Sequence, residues 1–88
     1  MKKIEYKVNK GFLNQLVDGK MTIFDGENSI IYTLNETATY IFKKIKQSQD
    51  KDQIIRGLVK KYKVDEKKAS SDYAEFIKDL ESKRIISK

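Results

Sequence analysis

The sequence predicts an α+β fold in which a three-stranded antiparallel sheet is followed by a three-helix bundle. Three observations carry this. Apolar residues recur with a period near two up to Thr33 and near 3.6 from Asn35 onward. Two turn signatures, Asp18-Gly19 and Asp25-Gly26-Glu27-Asn28, divide the first part into three strands. Asn35, Asp50 and Asp65 each stand just before an amphipathic run, where a helix N-cap belongs. A sheet of three strands cannot bury one face by itself, so the helices are expected to cover it.

The first strand is expected over Phe12 to Val17, where Asn14 and Gln15 interrupt an apolar run. The second is Met21 to Phe24 and the third Ser29 to Thr33, the most β-prone stretch of the chain. The first helix places Ala38, Ile41, Phe42 and Ile45 on one side and ends at the polar Lys46-Gln47-Ser48-Gln49. In the second, Asp50 and Gln53 have capping-box spacing, and Ile54, Ile55, Leu58, Val59 and Tyr62 form the stripe. The third helix offers Ala69, Tyr73, Phe76, Ile77 and Leu80 as its core face. Ile85 and Ile86 form an apolar tail expected to fold back on the bundle. Tyr6 and Phe12 either anchor the terminus or cover a groove, and the sequence leaves both open.

Eighty-eight residues make one domain, expected to occupy 1–88. The chain has no cysteine and no histidine, which removes zinc sites, iron–sulfur clusters, thiol nucleophiles and the usual general base at neutral pH. The acidic residues are scattered and mostly alternate with lysines, which argues against a carboxylate-only metal site. A non-enzyme with no cofactor and no metal is therefore expected. No apolar run approaches the roughly 20 residues that span a bilayer. The basic start, Met1 to Lys7, has no apolar region behind it, so a cytoplasmic protein is expected.

Tyr32-Thr33-Leu34-Asn35-Glu36-Thr37-Ala38 resembles the strand-to-helix junction of the PqqD-like family, also called RiPP precursor peptide recognition elements. That family shows a strand, a Leu-Asn pair, and a helix with small residues in its first turn and an apolar pair one turn on. Here these are Leu34-Asn35, Thr37-Ala38 and Ile41-Phe42. Ile54 to Leu58, Tyr62 to Asp65, Asp72 to Phe76 and Leu80 to Ile86 follow at the family's intervals, so the resemblance spans roughly residues 11–87. Two departures stand out. Ser48-Gln49-Asp50 replaces the family's common Asp-Gly after the first helix, and Lys83-Arg84 replaces a glycine before the last apolar pair.

The resemblance implies a wing-like sheet on a winged-helix-like trio, with no catalytic role. It also implies a partner, the leader segment of a ribosomally made precursor peptide, docked between the third strand and the third helix. A modifying enzyme, often a radical S-adenosylmethionine (SAM) protein, is the implied second partner. The residues placed to take the leader are Ser29, Ile30, Ile31, Tyr32 and Thr33 on the strand, with Lys68, Ser71, Asp72 and Glu75 on the helix flank. Strand addition would draw affinity from main-chain hydrogen bonds and specificity from side-chain pockets. Lys68 would be placed to meet a leader carboxylate. From the residues alone, Ser29–Thr33 could equally be a central strand paired on both sides, and the helix flank ordinary exposed surface.

The alternative is a winged-helix-like DNA-binding protein, which the net charge of +6 invites. The charge is spread evenly: eight basic and five acidic residues before position 48, eleven and eight after it. The third helix region, Asp65 to Ser82, holds six acidic residues against three basic ones and would repel phosphates. Nucleic acid is accordingly not the expected partner. The apolar third strand also permits self-association, so the expected state is a monomer or weak dimer.

Overall fold

A computed structural model describes residues 6–88; the basic N-terminal segment 1–5 lies outside them. The order of elements is β1 (Lys7–Val8), β2 (Phe12–Val17), β3 (Lys20–Asp25), β4 (Ile30–Thr33), α1 (Glu36–Lys46), α2 (Lys51–Tyr62), α3 (Glu66–Ser82) and β5 (Ile86–Ser87). Asp18 and Gly19 both adopt positive φ, 52° and 80°, which a two-residue hairpin turn requires. They connect β2 to β3 with Val17 opposite Lys20. β3 then pairs with β4, giving a meander of order β2-β3-β4.

Each helix starts where the sequence predicts. Asn35 Oδ1 accepts from the Ala38 amide at 2.8 Å, and Asp65 Oδ1 from the Lys68 amide at 2.7 Å. Asp50 and Gln53 form a reciprocal capping box at 2.9 and 3.0 Å. α2 ends on Lys63 in the left-handed conformation, which stops the helix and turns the chain towards α3.

The core lies between the inner face of the sheet and the three helices. Met21 and Ile23 of β3 meet Ile41, Phe42 and Ile45 of α1, Ile54, Ile55 and Leu58 of α2, and Ala69, Tyr73, Ile77 and Leu80 of α3. Each fully buried aliphatic side chain contributes about 1.5–3 kcal/mol relative to exposure. Val59 and Tyr62, expected in the α2 stripe, are only half-buried at its margin.

The tail does fold back, but as part of a second sheet that periodicity does not reveal. β1 and β5 pair antiparallel, Lys7 opposite Ser87 and Val8 opposite Ile86, and bury both Ile85 and Ile86. Arg84 takes a positive φ of 60° to make this turn. Tyr6 and Phe12 pack half-buried on the core, which assigns both to anchoring.

One side chain ties the sheet to the helices. Thr39, only 5% exposed, accepts from the Met21 amide at 2.9 Å, and its hydroxyl donates to the Leu34 carbonyl at 3.4 Å. The Leu34 amide donates in turn to the Met21 carbonyl at 2.8 Å. Replacing Thr39 with valine keeps the shape but strands a buried amide. Urea unfolding should show a loss of about 1–3 kcal/mol, with faster hydrogen exchange at Met21 and Leu34.

Candidate functional site

A strand at the end of a sheet leaves a row of main-chain groups unpaired. β4 is such a strand: among the described residues its neighbour within the three-stranded sheet is β3 alone, so the central-strand alternative does not apply. The Leu34 amide points at β3, and alternation along the strand sends those of Tyr32 and Ile30 the same way. The N–H and C=O groups of Ile31 and Thr33 therefore face the free edge. Nothing on the strand blunts this edge, which has neither proline nor lysine. Ile31 is 65% exposed and Ile30 42%.

Ser29 requires a correction. It precedes the strand, at a positive φ of 55°, and belongs to the turn. That turn is built on Asp25, which is the buried last residue of β3 and so not an exposed turn residue. Its carboxylate accepts from the Glu27 amide at 3.0 Å, the Asn28 amide at 3.1 Å and the Asn28 side chain at 2.8 Å. These bonds, the Asn28 side chain first, hold the carboxyl below its ordinary range against the opposing effect of burial.

Beside the edge lies a cleft of about 480 Å³. It is lined by Asn35, Thr37, Ala38 and Ile41 at the start of α1, by Leu58, Tyr62 and Val64 of α2 and the turn after it, and by α3 from Lys68 to Asp79. From Lys68 to Asp79 the helix rises about 16 Å at ~1.5 Å per residue, the length of roughly five residues of extended chain. β4 borders this cleft instead of lining it.

Of the four predicted helix residues, Lys68, Asp72 and Glu75 line the cleft. Ser71 does not; it is exposed, because a step of three from Lys68 falls about 60° short of a full turn and leaves it off the facing side. Phe76, expected in the core, is half-buried and forms part of the cleft wall. Asp79 and Lys83 were not foreseen. The Lys83 ammonium pairs with the Asp79 carboxylate and stands 5.3 Å from the Tyr32 ring centroid. Through it the Asp79 end of the cleft meets β4. The i, i+4 spacing of Asp79 and Lys83 was visible in the sequence, but the contact with Tyr32 was not.

Lys68 pairs with Asp72 at 3.5 Å. Tyr73, on the opposite side of α3, has its phenol pushed up to about 12, chiefly by burial, and is a core residue. Among the described residues no group of three or more carboxylates is placed to hold a metal ion. Nor is any helix among them long and apolar enough to cross a membrane.

The sequence matches the family described as coenzyme PQQ synthesis protein D (PqqD) over residues 20–86. The chain belongs to that family. No curated protein matches it significantly. Among solved structures, a lasso peptide synthetase B1 complexed with the leader peptide superposes with a TM-score of 0.89 at 20% identity, covering 97% of this chain and 100% of the other. TbiB1 in complex with the TbiA(beta) leader peptide gives 0.85 at 15% identity, covering 92% and 94%. At these identities the likeness establishes the fold.

The Asp25 turn sets where β4 begins, and its effect is testable by pH. A carboxyl held low when folded stabilises fully above its unfolded value near 3.8 and loses that contribution as pH falls through the lower folded value. Asp25→Asn should therefore lower the melting temperature at pH 6. The gap to the parent should narrow as both are acidified below pH 3.

Proposed function

We propose that this protein is a non-catalytic recognition domain that binds the leader segment of a ribosomally synthesised precursor peptide and presents it to a modifying enzyme. The observation that carries this is the open β4 edge beside a cleft of matching length, in a chain of the PqqD family. Two solved neighbours of the same fold are complexes with leader peptides. The bound segment lies antiparallel to β4, exchanging main-chain hydrogen bonds with Ile31 and Thr33. Its alternate side chains enter the cleft, against Lys68, Asp72, Glu75 and Phe76.

The absence of histidine and cysteine supports a role without chemistry of its own. The modifying enzyme, for which a radical SAM protein is the family-based candidate, then acts on the rest of the precursor. A monomer or weak dimer working in the cytoplasm fits this role. The acidic third helix speaks against the DNA-binding alternative, since α3 would meet phosphates with a net negative face.

Strand addition at this edge predicts an asymmetry between the two outer strands of the sheet. Ile31→Pro deletes an amide that faces the β4 edge. Leu16→Pro deletes the corresponding outward amide on β2, since Val17 opposite Lys20 closes the hairpin and alternation turns Leu16 outward. In an amide-shift titration with leader peptides, the parent should respond along Ile30–Thr33 and Lys68–Asp79. Ile31→Pro should bind at least tenfold more weakly while Leu16→Pro binds like the parent. A folded Ile31→Pro protein with unchanged affinity would exclude this mode.

A further inference from the structure

The charges along the cleft differ in sign from those of the whole chain. Its lining holds three carboxylates, Asp72, Glu75 and Asp79, and one ammonium, Lys68, in a protein of net charge +6. Both nearby ammonium groups already have partners: Lys68 with Asp72 at 3.5 Å, and Lys83 with Asp79 beneath the Tyr32 ring. Glu75, on the turn between these two pairs, has no ion pair among the described residues. Immediately after it, Phe76 contributes to the apolar part of the cleft, together with Ile41 and Val64.

Resting on the proposed function, we infer that the cleft selects an extended peptide carrying a lysine or arginine opposite Glu75 and an apolar side chain two residues away. The spacing follows from strand geometry. Successive side chains of an extended chain alternate, so two that enter the same cleft are separated by one that does not. The two demands of the wall, a cation for Glu75 and an apolar group against Phe76, are adjacent on α3 and are met by one such pair. An acidic side chain in the same place would meet a third carboxylate, with no unpaired cation among the described residues that line the cleft. On this reading the preferred charge opposite Glu75 is the reverse of the leader carboxylate expected at Lys68, whose ammonium is shared with Asp72.

A random 12-residue peptide library displayed on messenger RNA and selected against the full chain tests this. Lysine or arginine two positions from an aliphatic or aromatic residue should be enriched. Selection against Glu75→Lys should favour aspartate or glutamate at the same place. For a winning peptide, exchanging its basic residue for glutamate should weaken binding to the parent about tenfold, and Glu75→Lys should restore it. Raising the salt to 0.5 M should shrink that difference, since the pair is exposed to solvent. Winners that show no charge preference, or an acidic one, while still shifting the β4 amides overturn the charge selectivity and leave the strand-addition site standing. A library that yields no binder above a bare-matrix control overturns both.

Discussion

The buried hydroxyl of Thr39 holds the architecture together at the point where sheet becomes helix. It stands where the ladder between β3 and β4 would otherwise close, taking the Met21 amide and reaching the Leu34 carbonyl from the second turn of α1. A strand that is to keep one edge open must be secured entirely by its other edge and its inner face. Four residues of ladder to β3, the Thr39 bridge and the half-buried Tyr32 supply that hold. The Asp25 turn fixes where β4 begins, and the Asn35 cap fixes where it ends.

The open edge and the cleft have different chemistry. The edge offers main-chain donors and acceptors, which any extended peptide can satisfy. The cleft offers an apolar floor and a row of carboxylates, which not every peptide can. Main-chain hydrogen bonds without discrimination on one side and side-chain discrimination on the other are the two parts of binding by strand addition. Isolated exposed ion pairs such as Lys68–Asp72 contribute little stability, so that pair matters more for the charge it removes from the cleft than for folding.

The outer face of the sheet carries a further apolar row, Leu13, Phe24 and Ile31, in register across the three strands. All three are exposed, Leu13 by 70%. The row ends at the β4 edge, so an added strand would extend it.

The sequence by itself determined the three strands of the meander and the three helices. The Asp18-Gly19 turn, the three caps and the change of period at Asn35 are local properties, decided by backbone conformation and side-chain spacing within a few residues. It also held the strand-to-helix junction from which the family can be recognised. Several decisions belonged to tertiary structure. Which strand lies outermost depends on pairing between segments. The β1–β5 ladder joins residues nearly eighty positions apart. Phe76 turned to the cleft and Ser71 away from it because the rotation of α3 is set by what Ala69, Tyr73 and Ile77 bury, and the helix period alone leaves that phase uncertain by a residue. Gly57, by helix propensity a weak point in α2, has the Tyr40 hydroxyl in the space a side chain would need. The charge of the cleft was also a tertiary decision, since a carboxylate counts as unmatched only once folding has determined where the lysines go.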